Sequence, residues 1–159
     1  MDQASLGLTY DRHRRGLYAL ALSITRCPQN AEDAVHEAFT KLCSRPLVTQ
    51  GDEVAYVFAS VRNAAIEQQR KPARPEPASL FNGHAPDPVA ESERAERDRR
   101  LRHAVDALPV DQREAVVLRI YAGLSFEQIA QAVQAPLPTV AARYRRALDK
   151  LRLACGENP

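Results

Sequence analysis

Leu124 to Arg152 reads LSFEQIAQAVQAPLPTVAARYRRALDKLR, and this stretch decides the architecture. Ser125 followed by Gln128 is a capping-box pattern, set where an apolar helical period begins. Ile129, Ala130 and Val133 recur at that period, and Pro136 and Pro138 then interrupt it. A second helix follows, with Val140, Tyr144, Ala147, Leu148 and Leu151 on one side and Arg143, Arg145, Arg146, Lys150 and Arg152 around them. A short capped helix, a tight turn and a basic second helix make a helix-turn-helix suited to a DNA major groove. Proline disfavours helical geometry in the residue before it, so Leu137 is expected outside the second helix and Pro138 as its first residue.

Two helices are expected upstream of this unit as its platform. The first runs from about Val89 to Leu108; its start, ESERAERDRR, mixes charges at helical spacing and reads as solvated. The second runs from Asp111 to Tyr121 with Ala115, Val116, Leu118 and Ile120 apolar, and Gly123 ends it. Before them lie Pro72, Pro75, Pro77, Pro86 and Pro88, five of the chain's 11 prolines, whose spacing forbids a regular helix and favours an extended linker. Only Leu80 and Phe81 are bulky and apolar there.

The chain up to about Arg70 carries three further helical periods. Tyr10 to Arg26 presents Leu17, Leu20, Ala21 and Ile24, and Cys27-Pro28 ends it. Asn30 is expected to cap the next helix, with Glu32 and Asp33 in its first turn and Ala34, Val35, Ala38, Phe39 and Leu42 as its apolar face. Glu53 to Arg70 presents Val54, Val57, Phe58, Val61, Ala65 and Ile66, with Phe58 expected in the core and Tyr56 more open.

Composition narrows the function. The 159 residues fit one ordinary domain or two small helical ones, and a 45% hydrophobic content supports a folded core. Net charge is only +2, so attraction to nucleic acid must come from local patches. No apolar run approaches a membrane span and no charged-then-apolar leader opens the chain, which points to the cytoplasm. Cys27, Cys43 and Cys155 have neither paired nor CxxC spacing, so a disulfide framework is not expected. Cys27, His36 and Cys43 match no compact zinc spacing and lack a fourth ligand, so no metal is expected. His13, His84 and His103 stand beside no acid or nucleophile, and no glycine-rich phosphate loop or nucleophile elbow occurs. Neither catalysis nor a cofactor is expected.

Three stretches together resemble the sigma-70 family of bacterial transcription initiation factors, and within it the small extracytoplasmic-function group. LYALALSITRCPQNAEDAVHEAFTKL is similar to the family's region 2.1 to 2.2, and YVFASVRNAAIEQQRK to region 2.3 to 2.4. LPVDQREAVVLRIYAGLSFEQIAQAV, continuing into TVAARYRRALDKLR, is similar to region 4. The resemblance implies an all-α chain of two small helical domains joined by a flexible linker. Region 2 would occupy residues 1–71, the proline-rich linker 72–88 and region 4 residues 89–155.

The same resemblance implies the partners and the residues that meet them. Asp33, His36, Glu37, Phe39 and Leu42 would dock on the clamp helices of the largest subunit of core RNA polymerase. Acids around an apolar anchor suit a basic helical partner. Tyr56, Arg62, Asn63, Glu67, Arg70 and Lys71 would meet the minus-ten promoter element, where a splayed base is caught by stacking and hydrogen bonds. Thr139, Ala142, Arg143, Arg145 and Arg146 would meet the minus-thirty-five element in the major groove. An anti-sigma protein is implied as a further partner.

Several positions depart from the family pattern. Ala59 and Ala141 stand where basic residues are common, Glu67 for Asp, Ala142 for Ser, and Gln134 for the turn glycine. Pro136 replaces the usual Ser cap and Pro138 a small residue. These losses keep a second reading open: a sigma-like decoy that binds an anti-sigma protein instead of promoter DNA.

Overall fold

A computed structural model describes residues 2–45, 51–71 and 92–156, all as helices and short connections. The stretch from Lys71 to Val89 that sequence reads as a linker falls, after Lys71, outside the described residues, as does the expected start of the following helix. The helices are α1 (Gln3–Thr25), α2 (Pro28–Ser44), α3 (Glu53–Gln69), α4 (Ser92–Asp106), α5 (Val110–Val116), α6 (Phe126–Val133) and α7 (Leu137–Ala154). A π-helical turn, Val117–Tyr121, continues α5 directly.

Local chemistry sets the boundaries. Asp2 caps α1 through Ser5 N–H at 2.7 Å, so that helix starts earlier than the apolar period alone indicated. It ends at Arg26, a non-glycine residue in left-handed geometry with φ 57°. Asp52 caps α3 by accepting from Ala55 N–H at 2.9 Å. Ser125 and Gln128 form the expected capping box: Gln128 N–H donates to Ser125 Oγ at 3.1 Å, and Ser125 N–H donates to Gln128 Oε1 at 3.0 Å.

Two helix starts differ from the sequence expectation. Asn30 does not cap α2. Cys27, held extended because a proline follows, is the cap residue, and the helix begins at Pro28, where a missing N–H costs nothing. Asn30 therefore sits inside the first turn and is buried. The second helix of the helix-turn-helix, α7, begins at Leu137 rather than Pro138, with Pro136 as its cap residue. First-turn N–H groups have no acceptor within the helix, so Pro138 loses nothing at the second position. The earlier start lets Val140 N–H donate to the Pro136 carbonyl at 3.1 Å.

The main core is shared between the first three helices and the helix-turn-helix. Leu17, Leu20, Ile24, Val57, Phe58 and Val61 belong to the same buried cluster as Leu118, Leu124, Ile129, Val133 and Val140. Phe58 is fully buried, as expected from the sequence. A smaller core of Val105, Leu108, Val116, Ala147 and Leu151 ties α4 and α5 to the far side of α7. The π-turn divides the duty between the two: Val116 faces the small core and Leu118 the large one. Its wider turn is closed by Ala122 N–H donating to the Val117 carbonyl at 2.9 Å.

Candidate nucleic-acid interface

The polar face of α3 is not a single surface. Tyr56, Ser60, Asn63 and Glu67 recur at helical spacing and line one groove of about 590 Å³ between α2 and α3. Lys41 and Arg45 of the α2 end line its other wall. Tyr56 is 42% exposed, so its ring is open to a stacking partner. The groove thus offers an aromatic face, an amide, a carboxylate and two cations along one opening. Lys41 and Arg45 escaped the sequence reading because they belong to a different helix, and only the packing of α2 on α3 brings them in.

Arg62 lies on another side of α3. Its Nε donates to Glu114 Oε2 of α5 at 3.0 Å, and it stands apart from the Tyr56 groove. Arg70 and Lys71 are exposed at the end of α3, where Arg70 pairs with Glu67 at 3.6 Å. The structure therefore brings Tyr56, Asn63 and Glu67 together, leaves Arg70 and Lys71 at the margin, and turns Arg62 toward the second half of the chain.

On α7, Val140, Ala147 and Leu151 are buried and fix the helix orientation. Helical spacing then puts Ala142, Arg145 and Asp149 opposite them, with Thr139 and Arg146 on one flank. Arg145 and Arg146 are exposed. Arg143 is nearer the core and bridges to Asp111 of α5 at 3.5 Å. Asp149, which sequence reasoning passed over, sets a negative charge on the outward line and pairs with Arg152 at 3.9 Å. Gln134 takes the left-handed turn conformation, φ 55°, that the expected glycine would adopt.

The α2 face is mixed. Asp33 and His36 are exposed, whereas Leu42 is buried in the main core and offers little to a partner. Phe39 is half-buried and meets Tyr10 of α1 edge-to-face at 5.0 Å between ring centroids. His36 and Phe39 line a groove of about 850 Å³ between α1 and α2, with Tyr10, Arg14 and Tyr18 on the opposite wall. Glu37 accepts from Lys41 at 3.0 Å and from Gln68 Nε2 at 3.3 Å. The Lys41 contact, foremost, holds its carboxyl below the usual range.

Two buried charges were invisible to periodicity. Arg113 donates from Nε and Nη2 to the Ser23 carbonyl at 3.1 and 2.8 Å, and from Nη1 to the carbonyls of Asp106 and Leu108 at 3.1 and 3.2 Å. Glu114 is 4% exposed, and burial pushes its carboxyl above the ordinary range against the pull of Arg62 and Arg143, with Asp111 adding to the rise. Its folded pKa lies above its unfolded one, so between the two the folded chain binds more protons, and stability falls as pH rises through that window. Glu114→Gln lacks this loss. The melting temperature of the variant minus that of wild type is expected to grow as pH is raised from the unfolded glutamate range toward neutrality. A difference that stays flat or shrinks would contradict the burial cost.

Comparison with known proteins identifies the family. Two family models match, Sigma-70 region 2 over residues 9–74 and Sigma-70, region 4 over residues 98–151. The chain belongs to the sigma-70 family of transcription initiation factors, in its extracytoplasmic-function (ECF) group. It is 29% identical to RNA polymerase sigma-H factor of Pseudomonas aeruginosa, in an alignment covering 94% of this chain and 86% of that one. It is 34% identical to ECF RNA polymerase sigma factor RpoE of Cereibacter sphaeroides over 61% of this chain and 55% of that one. Its fold matches sigma factor RpoE of Bartonella quintana, solved with the anti-sigma factor NepR, at a TM-score of 0.68 and 21% identity over 99% of this chain and 98% of that one. It also matches CnrH, solved with the cytosolic domain of CnrY, at a TM-score of 0.66 and 20% identity over 96% and 88% of the two chains. Among the described residues no helix is long and apolar enough to cross a membrane.

Proposed function

We propose that this chain directs core RNA polymerase to a promoter set by dividing the work among three surfaces. Residues 1–71 dock on the clamp helices through Asp33, His36, Glu37 and Phe39, and catch the minus-ten element in the Tyr56 groove. Residues 89–155 lay α7 in the minus-thirty-five major groove, with Arg145 and Arg146 toward phosphates or guanine edges. The chain acts in the cytoplasm and makes no bond itself; phosphodiester synthesis belongs to the polymerase. An anti-sigma protein is a further partner, a reading supported by the complexes in which both structural neighbours were solved.

The observation that carries this reading is the α2–α3 groove, where an exposed aromatic shares one opening with polar and cationic groups. Stacking on such a ring contributes about 1–3 kcal/mol per base. Tyr56→Ala is therefore expected to lower promoter opening by roughly five- to a hundredfold on the stacking scale, with duplex binding little changed. In vitro transcription with purified core polymerase on a genomic library measures this, with permanganate footprinting on the promoters recovered. If wild type initiates no specific transcripts, the decoy reading replaces this one. If Tyr56→Ala opens promoters as well as wild type, the groove is misassigned.

A further inference from the structure

We infer that Arg119 is a positioning residue for promoter reading: stacked on Phe126 and tied to the Leu124 carbonyl, it sets the roll at which α7 presents its arginines to the minus-thirty-five element. The inference rests on the reading above, in which α7 lies in that major groove.

Arg119 belongs to the π-turn and reaches over the segment that leads into α6. Its Nη1 donates to the Leu124 carbonyl at 2.9 Å, and its guanidinium carbon stands 4.6 Å from the centre of the Phe126 ring. Leu124 N–H donates in turn to the Leu118 carbonyl at 3.0 Å. Both backbone groups of Leu124 are therefore held by consecutive residues of the π-turn, immediately before Ser125 caps α6. Phe126 carries the constraint onward. Its ring meets Tyr144 of α7 edge-to-face, at 5.4 Å between centroids and 67° between planes. Arg119, Phe126 and Tyr144 thus form one column from the π-turn through α6 to α7.

The column supplies what the cores do not. Val140 of α7 packs in the main core, and Ala147 and Leu151 in the smaller one. Burial of apolar side chains is non-directional, so it sets how close α7 lies more firmly than how it is rolled. A cation over a ring face, an edge-to-face pair and a hydrogen bond to a carbonyl are all directional. A roll of about 20° would carry a side-chain tip about 5 Å from the helix axis through roughly 2 Å. A functional geometry tolerates about 0.5 Å. Arg145 and Arg146, both exposed, directly follow Tyr144, so the roll acts on them. Arg119 is itself exposed, and its replacement leaves the buried residues of both cores in place.

The test is base-pair discrimination by the holoenzyme assembled from core polymerase and the full chain. It is measured as the ratio of affinities for a promoter recovered by in vitro transcription and for duplexes with single substitutions in its minus-thirty-five element. Arg119→Met keeps an unbranched side chain and removes the charge and the donors. It should compress that ratio about two- to tenfold, with a melting temperature close to that of wild type. Phe126→Leu should compress it similarly, whereas Phe126→Tyr keeps the ring face and should keep the wild-type ratio. The double variant, Arg119→Met with Phe126→Leu, should discriminate no worse than the poorer single variant, because both changes break one column. The salt dependence of binding should be unchanged in Arg119→Met.

A wild-type ratio in Arg119→Met overturns the proposal, as do losses that add in the double variant. A collapse of the Arg119→Met melting temperature also overturns it, by placing Arg119 among the residues that hold the fold. So does a uniform loss over all duplexes with the salt slope lowered by about one, the mark of a direct phosphate contact. Each of these results is read against a wild-type holoenzyme that discriminates, so the reading of α7 survives it. A wild-type holoenzyme indifferent to the minus-thirty-five sequence overturns that reading, and the role of Arg119 with it.

Discussion

Reversing Asp33 and Glu37 to lysine is expected to abolish recovery of core RNA polymerase in a pull-down with the full chain. Asp33 is exposed, and Glu37 keeps its charge because Lys41 and Gln68 both stabilise the carboxylate form. A basic helical partner would meet two cations in place of two anions, and like charges across an interface cost several kcal/mol. Glu37→Lys also breaks contacts with Gln68, so circular dichroism and thermal unfolding of the variant separate loss of docking from loss of fold. Polymerase recovered in wild-type amount by the folded double variant would sink the placement of the docking face on α2.

Replacing Arg113 should cost more stability than any other single change at the contact between the halves. Its guanidinium satisfies the Ser23, Asp106 and Leu108 carbonyls. The Ser23 carbonyl is one of those that the end of α1 leaves without an intrahelical partner. Arg113→Met keeps much of the volume and strands the carbonyls, at about 3–5 kcal/mol if two of them remain buried and unpaired. For a chain of this size that lowers the melting temperature by roughly 10 °C or more. Arg113→Lys should fall between, because an ammonium cannot reproduce the planar fork. A drop of only a degree or two for Arg113→Met, measured by thermal unfolding, would show that water replaces the guanidinium without penalty.

The acids of α2 and the buried Arg113 mark the boundary between what the sequence discloses and what it conceals. The helices follow from apolar periods and punctuation: Ser125 and Gln128 form the capping box their spacing predicts, and Phe58 is buried as its place on α3 implies. The misplaced starts of α2 and α7 both involve proline, whose effect on its neighbour depends on whether that neighbour is already in a first turn. The family resemblance points to Tyr56, Asn63 and Glu67 of the candidate groove but not to Ser60, which lines it with them. Lys41, Arg45 and Glu114 were missed because their relevance arises only when helices pack. The family resemblance groups Arg62 with Tyr56, whereas the helical turn sends the two side chains to different neighbours. Arg113 lies in a run of four polar residues, DQRE, where nothing distinguishes a buried guanidinium from a solvated one.

The side chain of Gln128 has a consequence of a different kind. Its oxygen accepts from Ser125 N–H at the start of α6, while its nitrogen donates to Asp52, the residue that caps α3. One amide thus takes part in two helix origins, reaching a cap residue 76 positions away in the chain. Any free energy by which the packing of α6 steadies the first turn of α3 must return, by linkage, as the same free energy favouring that packing when α3 is steadied by something else. A ligand that orders the beginning of α3 without displacing Gln128 would therefore hold the halves together, whereas one that takes Asp52 for itself would loosen α6 from afar.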